Sequence, residues 1–191
     1  NTLIVALGDV SGKGVPAALF MARTKTLFDA VAVTERDPGA MLDRMNRSLC
    51  TQNEAGMYVT AVCGVLDVAA RTVTLATAGH EAPLLVRAGG TCRPLETPGG
   101  RVLGLIDGGD YPATTVQLQP GDAIVASTDG VSEAQDPDGE FFGTARLLTA
   151  ALRHADGTAA SITAGVVAEV KTFARTAPQS DDVTVLTLKL A

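Results

Sequence analysis

The sequence has no tryptophan, two tyrosines and five phenylalanines. Whatever core it builds is aliphatic, made from Ala, Val, Leu and Ile. Histidine is scarce, at His80 and His154, and the three cysteines, Cys50, Cys63 and Cys92, stand at no metal-binding spacing. That argues against a zinc site and, the number being odd, against a disulfide framework. Reduced thiols and a cytoplasmic location are the simpler expectation. Long apolar runs are missing as well: the longest, Ala17 to Ala22, falls far short of the ~20 residues that span a bilayer. The opening NTLIVALGD has neither the basic segment nor the cleavage site of a signal peptide. Basic residues are in deficit, 15 Lys and Arg against 21 Asp and Glu, for a net charge of −6. This argues against a nucleic-acid binder, which needs a basic face to displace counterions, and against an anionic membrane surface as partner.

What is present suffices to fold. Hydrophobic residues make up 46% of the 191, and a chain of this length buries roughly 70% of the surface its unfolded form exposes. Leu3 to Leu7 reads as a strand, an abrupt opening that suggests a fragment of something longer. Val15 to Val33 carries Leu19, Phe20, Leu27, Phe28 and Val31 in a broad helical stripe. Asp37 and Pro38 read as the cap and first position of a second helix, running to about Thr51 with Met41, Leu42, Met45 and Leu49 on one face. The period then changes. Tyr58 to Val68, Thr72 to Ala78, Leu84 to Arg87, Thr114 to Leu118 and Ala123 to Ser127 are β-rich, separated by turns at Val68–Arg71, Ala88–Gly90 and Pro120–Asp122. Connections that short predict antiparallel hairpins, since a parallel pair needs a crossover of a dozen or more residues. Residues 97–112, rich in Gly and Pro, predict an excursion loop. Helices return at Thr144 to Ala155 and Thr158 to Thr176, and Val183 to Leu190 alternates as a closing strand, with Val183, Val185, Thr187 and Lys189 on one face. This order is not a βαβα alternation. It predicts an α+β domain of antiparallel sheets packed against helices.

Three segments carry possible chemistry. Gly8-Asp9-Val10-Ser11-Gly12-Lys13-Gly14 joins a strand to a helix. It fails the P-loop pattern, having three residues instead of four before Gly12-Lys13 and a Gly where Ser or Thr is required, and it fails the dinucleotide fingerprint as well. What remains is Asp9, a strand-end carboxylate among glycines that, with the backbone carbonyl of Val10, suits a hard cation. It equally suits a helix-entry turn with Asp as its cap. The second segment, Ser127 to Glu133, runs a strand into Asp129-Gly130, and the third, Gln179 to Thr184, opens the last strand with Asp181-Asp182. Each alone is ordinary turn chemistry. If the strands are neighbours, three such ends converge on a patch of oxygen ligands suited to Mg²⁺ or Mn²⁺.

The stretch GDVSGKGVPAALFMA, followed in order by MYVTAVCGVLD, TAGHEAPLLV, LGL, GDAIVASTDGVSEA, FFG and SDDVTVLTLKL, resembles the bacterial branch of the metal-dependent PPM/PP2C-type serine/threonine phosphatases, the branch that includes SpoIIE and RsbU. The resemblance covers nearly the whole chain. It implies a four-layer αββα sandwich of two mainly antiparallel sheets flanked by helices, with two Mn²⁺ or Mg²⁺ ions at one end. Carried over by position, Asp9 is a bridging ligand and Val10 lends its carbonyl. Asp129 and Asp181 are further ligands, and Asp182 lies behind them or holds an accessory ion. Members of the branch carry an acidic Gly-Gly-Asp strand shortly before the first motif. This chain begins eight residues before Asp9 without it, so residues 1–191 are expected to be an N-terminally truncated phosphatase domain.

The implied reaction is hydrolysis of phosphoserine or phosphothreonine by a metal-bridging hydroxide, with no phosphoenzyme. Consistent with that, no Cys is followed six residues on by Arg, and no Gly-x-Ser-x-Gly elbow occurs. Lys13 is a candidate phosphate contact or a locally paired residue. Ser11 is expected to shape the turn, and Gly12 and Gly14 to allow close backbone approach. His80 suits a structural hydrogen bond better than general acid catalysis, and Glu133 suits a cap better than a ligand. The branch further implies, as substrate, a phosphorylated STAS-type anti-sigma-factor antagonist, an upstream sensor or receiver domain in the same chain, and possible homodimerisation. Two other readings stay open: a catalytically impaired module that binds a phosphoprotein, and a hydrolase of small phosphoesters.

Overall fold

The computed structural model describes residues 2–191. Its strands, in chain order, are β1 (Thr2–Val10), β2 (Val59–Asp67), β3 (Thr72–Ala78), β4 (Leu84–Arg87), β5 (Thr91–Pro94), β6 (Thr114–Gln117), β7 (Ala123–Ser127) and β8 (Val185–Lys189). The helices are α1 (Val15–Thr34), α2 (Pro38–Cys50), α3 (Asp129–Ser132), α4 (Gly143–Arg153) and α5 (Ala159–Ala174). The chain divides into two compact units, one formed by the residues up to His80 with Glu96–Gln117, the other by Glu81–Leu95 with Leu118–Ala191. None of the described helices is long and apolar enough to cross a membrane.

In the first unit an antiparallel sheet runs β1-β2-β3-β6. Alternate residues of β2 (Val59, Ala61 and Cys63) meet Met41, Leu42, Met45 and Leu49 of α2 in one buried cluster, as the helical spacing predicts. The predicted cap is present: the Asp37 side chain accepts from Ala40 N at 2.8 Å, and Pro38 occupies the first helical position. Helix α1 departs from its predicted stripe. Phe20 and Val31 are buried and Leu27 and Phe28 partly so, but Leu19 is 67% exposed. Leu19 lies about 100° around the helix from Phe20 and misses the buried face. The 97–112 segment is a loop, as expected, and Asn46 pins it. This fully buried side chain donates to Ile106 O at 2.9 Å and Gly108 O at 3.3 Å, and accepts from Gly104 N at 2.8 Å.

In the second unit the sheet order is β5-β4-β7-β8, again antiparallel throughout. Leu147 and Ala150 of α4 and Ile162, Val166 and Val170 of α5 bury against Val86, Ala123 and Val125. Thr158 and Ser161 close a capping box at the start of α5. The predicted face of β8 does turn to the helices: Thr163 donates to Thr187 Oγ1 at 2.8 Å, and Lys189 Nζ to Ala155 O and Gly157 O at 2.5 and 2.6 Å.

Two expectations need correction. Strand β5 went unread, because Thr-Cys-Arg-Pro is short, largely exposed and ends in proline, all features of an edge strand. The Pro120–Asp122 turn is not a hairpin, since β6 and β7 belong to different sheets. What makes that turn tight is Asp122. Its buried carboxylate accepts from Gln119 N (2.8 Å), Ala88 N (2.9 Å) and Arg87 Nη1 (2.6 Å). Burial alone would raise its pKa, but these donors outweigh burial and hold it below the ordinary aspartate value.

Candidate functional site

In the first unit Asp9 is still within β1, opposite Thr60 of β2, so the strand runs three residues past its predicted end at Leu7. Strands β1 and β2 approach closely here: a Cβ on Gly8 would lie 3.1 Å from Thr60 O. Ser11 shapes the turn as expected. Its N–H donates to Tyr58 O and its hydroxyl accepts from Tyr58 N, both at 2.9 Å, extending the ladder beyond Val10. The reading of Asp9 as a helix cap is excluded. The N-cap of α1 is Gly14, and no side chain caps that helix.

Gly14 has open space around it and Gly12 only Met57 Cε at 3.7 Å, but their φ angles are 78° and 79°. Both take the left-handed backbone that glycine adopts without penalty. Lys13 is exposed and has no ion-pair or hydrogen-bond partner among the described residues. His80 Nδ1 shares a 2.9 Å hydrogen bond with Thr60 Oγ1, on the residue opposite Asp9. The expected structural bond is therefore made.

In the second unit β7 delivers Asp129 to the first position of α3, with Thr128 as its N-cap. Glu133 ends this single turn; its N–H donates to Asp129 O at 2.7 Å. The Asp181-Asp182 loop is fastened to the same place. Thr128 Oγ1 donates to Asp182 O at 2.7 Å and accepts from Thr184 N at 3.0 Å, while Thr128 N donates to Thr184 O at 3.1 Å. Gly130 lies so close that a Cβ on it would stand 2.5 Å from Asp182 O. The Asp-Gly pair is thus no ordinary turn: the glycine permits one backbone to lie on another. Asp181 Oδ1 accepts from Asp182 N at 2.7 Å, while both aspartates are exposed.

Asp129 and the Asp181-Asp182 pair are therefore brought together within one unit, while in the other Asp9 and Val10 end β1 and Lys13 lies in the turn that follows. Thr128 and Gly130 escaped the sequence reading, because a Thr-Asp-Gly string does not reveal a partner more than 50 residues on. Ser132 was missed too. It is buried and donates to Glu81 Oε1 at 2.8 Å, linking α3 to the start of the β4 segment.

The donor chemistry fits a hard divalent cation. Asp129 Oδ1 is shielded from solvent and has no hydrogen-bond partner among the described residues. A carboxylate oxygen in that state is costly unless a donor or a cation meets it. The side-chain ligands this unit offers here, the carboxylates of Asp129, Asp181 and Asp182, are all oxygen, which suits Mg²⁺ or Mn²⁺ over zinc.

The family model of Stage II sporulation protein E (SpoIIE) matches residues 1–191. The chain belongs to the SpoIIE family. Phosphoserine phosphatase RsbU of Bacillus subtilis (strain 168) is 34% identical over 140 residues, which cover 73% of this SpoIIE-family chain and 42% of RsbU. The chain therefore spans less than half the length of that relative. The SiaA-PP2C domain of Pseudomonas aeruginosa superposes with a TM-score of 0.86 at 27% identity, over 98% of this chain and 76% of that one. The catalytic domain of the serine/threonine phosphatase PstP of Mycobacterium tuberculosis, in a complex with two manganese ions, has a TM-score of 0.70 at 16% identity, over 98% and 88%. The expected PP2C-type α+β fold is thus the fold of this SpoIIE-family chain.

Proposed function

We propose that this chain is the catalytic part of a metal-dependent phosphatase acting on phosphoserine or phosphothreonine in a protein. Family membership supports the reaction class, since the relative RsbU is a phosphoserine phosphatase. The observation that carries the metal reading is the buried, unpartnered Oδ1 of Asp129. We assign Asp9, Asp129 and Asp181 as carboxylate ligands, the Val10 carbonyl as a further oxygen, and Asp182 as an outer or accessory ligand, for two Mn²⁺ or Mg²⁺ ions like the manganese pair of PstP. Such ions supply Lewis acidity: they acidify water and offset the charge of a phosphate dianion that a chain of net charge −6 would otherwise repel.

The chain's own residues do the rest. Thr128 holds Asp129 and the Asp182 loop in register, and Gly130 lets them lie close. Asp181 Oδ1 accepts from Asp182 N, which ties the carboxylate to its own loop. Lys13, exposed and without a partner among the described residues, is available to meet phosphate. With direct attack by water, no side chain need serve as nucleophile. As substrate we infer a phosphorylated STAS-type anti-sigma-factor antagonist, with a sensor or receiver domain of the whole protein, and homodimerisation, as regulators.

The test is turnover of p-nitrophenyl phosphate and a phosphoserine peptide with and without Mn²⁺, with calorimetric titration of Mn²⁺. Activity that needs Mn²⁺, stops with chelator and is lost in a folded Asp129→Ala variant is the expected result. Turnover indifferent to metal and to Asp129 would overturn the proposal. Tight binding of the phosphopeptide without turnover would instead favour the impaired binding module.

A further inference from the structure

A pocket of about 530 Å³ opens in the second unit where α5 ends. Its lining includes Gly130, Ser180, Lys171 and Arg175, the remainder being mainly aliphatic. Gly130 directly follows Asp129 and Ser180 directly precedes Asp181, so the pocket lies beside both acidic loops of this unit. Lys171 stands in the last turn of α5 and Arg175 is the C-cap that follows it, its N–H donating to Lys171 O at 3.1 Å, so two like charges are gathered at one helix end.

Neither cation has an acidic partner among the described residues, although the chain carries 21 Asp and Glu. The attraction of a cation to the C-terminal end of a helix accounts for a basic residue there. It does not account for the backbone of Arg175. This residue is the C-cap of α5 at φ 49°, ψ −107°, a conformation that favours glycine. A long cationic side chain thus stands where a glycine would relieve the chain, against a pocket wall.

We propose that this pocket docks the acidic residues flanking the phosphorylated Ser or Thr of the protein substrate, with Lys171 and Arg175 pairing to their carboxylates and the aliphatic lining taking their neighbours. The proposal rests on the phosphatase reading for the placement of phosphate nearby. Charge complementarity selects the occupant: within the pocket, two cations without acidic partners among the described residues repel a basic side chain and hold an acidic one.

The experiment separates the two readings. Short fluorescein-labelled phosphoserine peptides flanked by Glu or by Lys are titrated with the protein in chelator at low salt, with fluorescence anisotropy as readout. Two partly exposed ion pairs predict a preference for the Glu peptide of roughly tenfold, fading as salt is raised. The preference should vanish in Lys171→Gln/Arg175→Gln and invert in Lys171→Glu/Arg175→Glu, with circular dichroism melting confirming the fold. Arg175→Gly, which frees the backbone, should lose about half of the effect on a logarithmic scale. Equal binding of the two peptides, or a preference that survives both double variants, overturns the pocket. Mn²⁺-dependent hydrolysis of the same peptides is scored separately. Hydrolysis without charge preference sinks the docking site alone, and charge preference without hydrolysis sinks the phosphatase reading alone.

Discussion

Replacing Gly130 with alanine tests the most constrained contact of the acidic loops. The added methyl would sit 2.5 Å from Asp182 O and 2.9 Å from Asp182 C, where ordinary contact begins at 3.4 Å. Both obstacles are backbone, so one of the two segments must move by about 0.9 Å. Residues 181 and 182 are exposed and α3 is buried, so the loop is the part that yields. Its retreat strains or breaks the bonds of Thr128 to Asp182 O and Thr184 N. Overpacking costs about 1–3 kcal/mol and each of the two lost bonds about 0.5–1.5 kcal/mol, so the expected loss is about 2–6 kcal/mol in urea unfolding. If Asp181 and Asp182 serve the chemistry, a shift near 1 Å should also lower Mn²⁺-dependent turnover by about 10²-fold. Thr128→Ser should retain both properties and Thr128→Val should lose both. Wild-type stability in Gly130→Ala would refute the close approach. Lost stability with full turnover would refute the role given to the 181–182 loop.

Three further outcomes are expected. Because the Asp122 carboxyl is held below its ordinary pKa, its contribution is complete above the unfolded value near pH 4 and disappears as pH falls through the folded one. Asp122→Asn should therefore cost about 2–3 kcal/mol at neutral pH, discounted for the partial exposure of Arg87. The difference from wild type should shrink below about pH 4 in urea titrations. Cys63 is fully buried and its thiol pushed up to about 12 by burial, so iodoacetamide should modify it only on unfolding, as mass spectrometry would show. Asn46→Leu removes the side chain that satisfies three backbone groups of the 104–108 loop and should destabilise by about 2–4 kcal/mol, with normal stability refuting that role.

What the sequence by itself determined is what lies within a few residues of each position. The apolar face of α2 and its Asp37-Pro38 entry follow from a 3.6-residue period and a local cap, and the antiparallel pairing of β2 with β3 from a turn too short for anything else. The three acidic strand ends are legible because each is a hydrophobic run followed at once by carboxylate. Tertiary structure decided the remainder, through contacts between distant residues. Whether Pro120–Asp122 is a hairpin depends on which sheet receives β7. That Leu19 is bare while Phe20 is buried depends on which side of α1 meets the first sheet. Gly130 is glycine because of Asp182, and Thr128 matters because its hydroxyl meets the backbone of Asp182 and Thr184, 54 and 56 residues away. Periodicity and propensity are properties of a segment, whereas a close approach is a property of two segments, and no local pattern encodes the second partner.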